Sequence, residues 1–148
     1  MNILNESEIF NAYDYMDTIK IQIPSISENI RIIESFIDNA KEKFRLDDDI
    51  YGNIMIAVTE SVNNAIIHGN KNDRNKNVSI SLTLNENILK FLVKDEGDGF
   101  DFQNLPDPTA PENIDKPSGR GIFLMKHLSD EVCFKENGKL VELSFYMF

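Results

Sequence analysis

Five short stretches of this chain are apolar or alternate between apolar and polar residues, as half-buried β-strands do. The first covers residues 19–23 and ends at a proline, while the second and third cover residues 78–84 and 88–93 around a polar turn. The last two, residues 132–134 and 140–148, flank an Asn-Gly pair, which favours a tight turn. The pattern predicts one early strand and two antiparallel hairpins.

A second pattern, with apolar residues three and four positions apart, predicts three helices. The first covers residues 30–44, the second begins near Asp47, and the third follows Gly119-Arg120-Gly121. The positions expected to face the core are Ile30, Ile33, Phe36, Ile37 and Ala40, then Ile50, Ile54, Val58, Val62, Ala65 and Ile66, and finally Ile122, Leu124, Met125 and Leu128.

The ends of the first two helices carry their own signals. Ser25 and Ser27 are candidate caps for the first helix. Asp47 and the two aspartates after it place negative charge at the start of the second helix, where the helix dipole favours it. Gly69 is expected to end the second helix as a C-terminal glycine.

Strands in neighbouring antiparallel pairs, with helices in separate blocks, predict an α+β fold built as a two-layer sandwich. With 148 residues, the chain is expected to be one domain over residues 1–148, in which residues 1–16 form either a loose N-terminal extension or an element that pairs with a partner. Residues 101–118 hold four of the five prolines and few large apolar residues. That composition is typical of a lid or mobile loop.

Charge and cysteine content narrow the function classes. A formal charge of -10 argues against nucleic-acid binding but not against nucleotide binding, because magnesium and helix N-termini can carry phosphates. Cys133 is the only cysteine, so no disulfide framework is expected, and its predicted strand suggests a small core residue. Neither a signal peptide nor an apolar run of about 20 residues is evident, so we expect a cytoplasmic protein without a membrane partner.

The second predicted helix carries polar residues beside its apolar stripe. Glu60, Asn64 and His68 are four positions apart and therefore share one face. A carboxylate one turn before a carboxamide can provide a general base next to a metal ligand. A solvated helix face that ends in a glycine cap is the alternative interpretation.

Two glycine motifs lie further along the chain. Asp95-x-Gly97-x-Gly99 directly follows a predicted strand, where a carboxylate can accept a hydrogen bond from a flat ligand and glycines let the backbone approach it. Gly119-x-Gly121 precedes the third helix, where unpaired backbone N–H groups can bind an anion. Each motif alone is often a turn or a cap, but the three motifs in this order, with the Pro-rich stretch between the last two, are more specific.

With these three motifs, the chain resembles the ATP-binding domains of the gyrase, Hsp90, histidine-kinase and MutL superfamily, which have the Bergerat fold. The stretch 60–64 is similar to the N box of that superfamily, 95–99 to its G1 box and 119–121 to its G2 box. The similarity covers about residues 17–147 and is greatest to the anti-sigma-factor serine kinases of bacterial partner-switching systems. The resemblance implies a mostly antiparallel mixed sheet covered by helices on one face.

The resemblance also implies roles for single residues. Asn64 would hold Mg²⁺ through its side-chain oxygen, and Glu60 would be the general base for the hydroxyl that attacks the γ-phosphate of ATP. Asp95 would accept a hydrogen bond from the adenine amino group, and Gly97 and Gly99 would leave room for the nucleotide. Phosphoryl transfer needs mostly positioning and charge neutralisation, so this small set is chemically sufficient.

The third motif would cover the phosphates. Gly119 and Gly121 would let the lid and the helix N-terminus approach them, while Arg120 either reaches a phosphate or is an exposed, solvated arginine.

The implied function is that of an ATP- and Mg²⁺-dependent serine/threonine protein kinase that acts as an anti-sigma factor. Its partners would be a sigma factor and a small STAS-type anti-anti-sigma protein, which it phosphorylates, and homodimerisation is a further expectation of the resemblance. One alternative is a nucleotide-dependent binding module without phosphotransfer, and another is a histidine-kinase-type ATPase domain. Glu60 favours the kinase over the binding module, because nucleotide binding alone needs no base.

Overall fold

The structure is a computed structural model, and it describes residues 18–99 and 120–147 of the chain. Five strands and three α-helices follow one another in that part. They are β1 (Thr18–Pro24), α1 (Ile30–Phe44), α2 (Asp48–Asn64), β2 (Asn77–Asn85), β3 (Ile88–Lys94), α3 (Arg120–Leu128), β4 (Glu131–Lys135) and β5 (Leu140–Tyr146). The predicted N-terminal extension, the predicted lid and Gly119 lie outside the described residues.

The five described strands form one sheet in the order β1-β2-β3-β5-β4, and every neighbouring pair is antiparallel. Its register places an apolar row across all five strands. The row runs from Ile21 of β1 through Ile80 of β2, Val93 of β3 and Val141 of β5 to Phe134 of β4. Because side chains alternate between the two faces of a sheet, one face is apolar throughout. The predicted α+β class is confirmed, and the described sheet is wholly antiparallel where a mixed one was expected.

The helices bury their apolar stripes with this face in one core. The buried helical side chains are Ile33, Phe36, Ile37 and Ala40 of α1, Ile54, Ala57, Val58 and Val62 of α2, and Ile122 and Met125 of α3. Each large aliphatic side chain that is fully removed from water stabilises the fold by roughly 1.5–3 kcal/mol. The predicted helical periodicity is thus confirmed. None of the described helices is long and apolar enough to span a membrane.

The opposite face of the sheet carries charged residues. Glu142 on β5 forms ion pairs with Lys90 on β3 at 2.6 Å and with Lys135 on β4 at 2.7 Å. Hydrogen bonds from Lys135 and Lys90 hold the pKa of the Glu142 carboxyl below its ordinary value. Cys133 pairs with Glu142 in the register and is exposed on this face, so its prediction as a core residue is wrong. The alternation of β4 turns it away from the helices.

The predicted caps have different outcomes at the two helix starts. Asp47 caps α2 as predicted, since its carboxylate accepts a hydrogen bond from the Ile50 N–H at 2.8 Å. The serine caps predicted for α1 are wrong, because no side chain caps this helix or the 3-10 turn Ser27–Asn29 before it. Ser25 is buried and donates its hydroxyl to the Lys76 carbonyl at 2.7 Å, so it joins two strand ends instead.

The C-terminal end of α2 also differs from the prediction. The helix continues directly into a π-helical segment, Ala65–Gly69, whose hydrogen bonds join residues five apart. The left-handed residues after this segment are Lys71, with φ of 53°, and Asn72, with φ of 59°. The helical run thus ends at Gly69, as predicted, but Gly69 is not a left-handed cap. A contact within the candidate site accounts for its lack of a side chain.

Candidate active site

Glu60 and Asn64 lie one turn apart on α2 and face the first turn of α3. A methyl group at the buried Gly121 would lie 2.9 Å from Glu60 Oε2 and 3.2 Å from Asn64 Nδ2. Both polar side chains are half-buried, whereas His68 and Arg120 are exposed. The structure therefore brings the first and third predicted motifs together at a helix start, where backbone N–H groups lack helical partners.

Asp95 directly follows β3 and is only 5% exposed. Its Oδ1 accepts a hydrogen bond from the Gly97 N–H at 2.8 Å, and its own N–H donates to the Lys139 carbonyl at 3.0 Å. Burial raises the pKa of the Asp95 carboxyl above its ordinary value, although the Gly97 N–H, Lys139 and Lys76 act in the opposite direction. Since a carboxylate has about four acceptor sites, it retains capacity for a donor group of a ligand.

Glycines surround the Asp95 side chain because no larger residue fits there. A methyl group at Gly69 would overlap the Asp95 carboxylate, and one at Gly97 would overlap the Gly69 carbonyl oxygen. Gly99 has a φ of +87°, and a methyl group there would overlap the Asn137 carbonyl in the β4–β5 turn. The sequence pattern did not predict this role for Gly69, because the role depends on a carboxylate far along the chain.

A cavity of about 10 Å³ is lined by residues from two of the three predicted motifs. Asn64 from α2 and Asp95 from the end of β3 both line it, together with Met125 of α3 and apolar residues of the sheet. Asn64 therefore borders Gly121 as well as the Asp95 cavity. The three motifs, which are separate in the sequence, converge around the C-terminal end of α2.

Asn70 fixes the loop that carries Asp95, and its role was not predicted from the sequence either. The residue is 1% exposed, and its Nδ2 donates to Ser25 Oγ at 2.7 Å and to the Asn77 carbonyl at 3.0 Å. Its Oδ1 accepts a hydrogen bond from the Glu96 N–H at 2.7 Å. One side chain thus joins the end of β1, the start of β2 and the end of β3. The only sequence signal was a polar residue directly after a helical run.

Replacing Asn70 with alanine should therefore destabilise the fold. The Glu96 N–H and the Asn77 carbonyl would lose their partner in a largely buried place, which costs about 2–3 kcal/mol in the free energy of unfolding. For a chain of this size, the melting temperature should fall by about 4–12 °C. Circular dichroism recorded during thermal unfolding measures the melting temperature, and Asn53→Ala on the exposed side of α2 is the control. Equal melting temperatures for the two variants would contradict the assigned role.

Comparisons with known proteins show the family to which the chain belongs. A sequence profile described as the histidine kinase-like ATPase domain matches residues 23–145. The chain is 33% identical to the serine-protein kinase RsbW of Bacillus subtilis (strain 168) over 138 residues, which is 88% of this chain and 86% of that protein. RsbW of Staphylococcus aureus (strain JH9) is 30% identical over 139 residues, 88% of this chain and 87% of the relative. The chain belongs to the RsbW serine-protein kinase family of histidine kinase-like ATPases.

A solved structure of an RsbW domain has a similar fold. The crystal structure of the RsbU and RsbW domains of Rv1364c from Mycobacterium tuberculosis matches with a TM-score of 0.62 at 13% identity. The match covers 88% of this chain and 32% of that one. At such low identity the likeness concerns the fold alone, and it confirms the predicted α+β arrangement.

Membership of the RsbW family confirms the predicted superfamily and the predicted kinase class. The roles of single residues stay predictions. Glu60, Asn64, Asp95 and Gly121 are brought into one region, and Gly97 supports Asp95.

The donor atoms near Gly121 suit a magnesium ion that arrives with a nucleotide. Asn64 Oδ1, beside the Glu60 carboxylate, is an oxygen ligand of the kind that Mg²⁺ takes, and Mg²⁺ commonly uses one or two protein groups together with substrate phosphates. Within residues 18–99 and 120–147, no group of three or more His, Cys, Asp or Glu side chains could hold a metal ion. Asn64 is therefore the residue to test as the magnesium ligand of an RsbW-type site.

Proposed function

We propose that this chain is an ATP- and Mg²⁺-dependent serine/threonine protein kinase whose active site lies where α2, α3 and the end of β3 meet. The observation that carries the proposal is the position of Asn64, which approaches Gly121 beside Glu60 and shares a cavity with Asp95. The reaction class is supported by the relatives, which are serine-protein kinases in Bacillus subtilis and Staphylococcus aureus.

Asp95 would select adenine as the nucleobase of the nucleotide. An ionised carboxylate only accepts hydrogen bonds, so it pairs with the exocyclic amino group of adenine and not with the carbonyl group that guanine has in its place. The Gly97 N–H holds the carboxylate in one orientation, and the buried surroundings strengthen a hydrogen bond to it. Gly97 and Gly99 would leave room for the nucleotide beside Asp95, as the sequence resemblance implies.

Asn64 would hold the metal at the phosphate end. A bound Mg²⁺ would neutralise charge on the phosphates during transfer. The start of α3 would provide backbone N–H groups for the same phosphates. Gly121 leaves room for the Glu60 and Asn64 side chains at this helix start, and Gly119 and Gly121 would let the backbone approach the phosphates, as predicted. Arg120, exposed at the first position of α3, would reach a phosphate at this end, which is one of the two alternatives that the sequence left open.

Glu60 would act as the general base. Its carboxylate takes the proton from a serine or threonine hydroxyl of the bound partner protein. The hydroxyl oxygen then forms a bond to the γ-phosphorus, the bond from this phosphorus to the bridging oxygen breaks, and ADP leaves with the electron pair. A base one helical turn from the metal ligand would be close to the attacking oxygen, which is the geometric requirement for this role.

The proposed protein substrate is a small STAS-type anti-anti-sigma protein, and the second proposed partner is a sigma factor that the kinase restrains. The sequence resemblance supports both partners, and the relatives, which are serine-protein kinases, support a protein as the substrate. Homodimerisation and a cytoplasmic location belong to the same proposal. The formal charge of -10 disfavours nucleic acid as a direct partner.

Incubation with labelled ATP, Mg²⁺ and candidate STAS-type proteins from the same genome tests the proposal. The label should appear on the partner as acid-stable phosphoserine or phosphothreonine, and a chelator should prevent transfer. ATP binding without transfer to a partner that the chain demonstrably binds would favour a nucleotide-dependent binding module. An acid-labile phosphohistidine would favour a histidine-kinase-type domain, and no ATP binding at all would reject the proposal.

A further inference from the structure

Ser61 has a buried hydroxyl to which the proposed catalytic site gives no role. It lies on α2 directly after Glu60 and is 1% exposed. Its Oγ has no hydrogen-bond partner among the described residues. A buried polar group without a partner is costly and uncommon in folded proteins, so an unpaired hydroxyl at an active site calls for a ligand or water that completes it.

The cavity next to Ser61 has the size and the lining to supply such a partner. Ser61, Asn64 and Asp95 are the polar residues among those that line it, and Val93 and Met125 belong to its apolar walls. Its volume of about 10 Å³ corresponds to one water molecule. A water in a protein interior needs two to four polar partners, and these side chains provide them.

We propose that Ser61 is a specificity-determining residue at the end of the site where Asp95 would bind the nucleobase. Its hydroxyl and the Asp95 carboxylate orient one water toward the purine. This inference rests on the proposed ATP binding and adds a residue to it. The Ser61 hydroxyl donates to the water oxygen, and Asp95, which only accepts, takes one of the two water hydrogens. The second hydrogen points to the ring nitrogen beside the adenine amino group. That nitrogen is an acceptor in adenine, but it carries a hydrogen in guanine.

Ser129 offers a matched control. It is also buried, and its Oγ also has no hydrogen-bond partner among the described residues. It follows α3 and does not belong to the lining of the cavity. Ser129→Ala and Ser61→Ala thus both remove a buried, unpaired hydroxyl, but only Ser61→Ala should change nucleotide binding.

Calorimetric titration with ATP, ADP and purine riboside triphosphate tests the inference. Ser61→Ala should weaken binding of ATP and ADP equally, by about 3- to 10-fold, because the lost contact is to the base and not to the γ-phosphate. Purine riboside triphosphate, which lacks the amino group but keeps the ring nitrogen, should lose affinity by the same factor. Ser61→Cys keeps most of the volume but hydrogen-bonds weakly, so it should resemble alanine.

The outcomes separate this inference from the proposed function. Wild-type affinity for ATP in Ser61→Ala, or an equal loss in Ser129→Ala, would overturn the role of Ser61 and leave the kinase proposal intact. A loss for ATP that is absent for purine riboside triphosphate would also overturn it, because the contact would then be to the amino group. Failure of the wild-type chain to bind any adenine nucleotide would overturn both proposals.

Discussion

Replacing Glu60 with glutamine should slow phosphoryl transfer by about 10²–10⁴-fold while ATP binding persists, because the amide keeps the shape of the side chain but cannot take a proton. The half-buried Glu60 carboxylate faces Gly121 at the start of α3, next to Asn64, so the change affects the place where the phosphates are proposed to lie. Single-turnover transfer of label to a partner measures the rate, and calorimetry measures ATP affinity separately.

Glu42→Gln on the exposed side of α1 is the matched control, since it removes the same charge away from the site. It should transfer at the wild-type rate. If Glu60→Gln also transferred at that rate, Glu60 would not be the base. If it lost ATP affinity to the same extent as activity, its role would be in binding rather than in chemistry.

Asp95→Asn should weaken ATP binding by about 10- to 150-fold. The amide can present its NH₂ group to the adenine amino group, and the loss of a hydrogen bond to a charged acceptor is worth roughly 1.5–3 kcal/mol. Titration calorimetry gives the affinity, and Asp49→Asn at the exposed start of α2 controls for the change in net charge. Unchanged ATP affinity in a folded Asp95→Asn variant would mean that Asp95 is only a turn residue.

The pH dependence of binding offers a second measurement of the same contact. Burial raises the pKa of the Asp95 carboxyl, so this group takes up a proton at a higher pH than an ordinary aspartate. As the pH falls through this raised pKa, the carboxylate becomes a neutral carboxyl group, so the hydrogen bond to a charged acceptor is lost and ATP affinity should fall in the wild type. The ratio of wild-type to Asp95→Asn affinity removes the titration of ATP itself and should decline toward one at low pH. A constant ratio would contradict the assignment.

Local patterns predicted the elements of the fold but not how the strands are joined across the sheet. Alternation and helical spacing are properties of neighbouring residues, and the three α-helices and the five strands were predicted from them. The pairing of β3 with β5 joins residues on either side of α3, and no local pattern encodes such a long-range contact. Cys133 was misplaced for a similar reason, since the face of an edge strand that is covered depends on the helices packed nearby.

The candidate site, too, was predicted where the sequence carries a local signal and missed where a long-range contact decides a residue's role. Glu60, Asn64 and Asp95 were predicted because carboxylates and carboxamides at these spacings suggest chemistry. Gly69 and Asn70 were missed because their roles come from contacts with the distant loop after β3. In both cases the residue type looks ordinary in the sequence, and only the tertiary structure shows why it is needed.

The π-helical segment after α2 has a consequence for how this family can change in evolution. A π-helical turn contains one residue more than an α-helical turn, so Ala65–Gly69 is equivalent to a single-residue insertion in a continuous helix. A deletion of one residue within this segment would restore regular α-helix, and the residues on either side would keep their orientation, because the wider turn had absorbed the extra residue. The residues after the segment would therefore still meet the loop that carries Asp95. Gaps of one residue at this position in relatives should therefore be compatible with an unchanged nucleobase-binding end of the site.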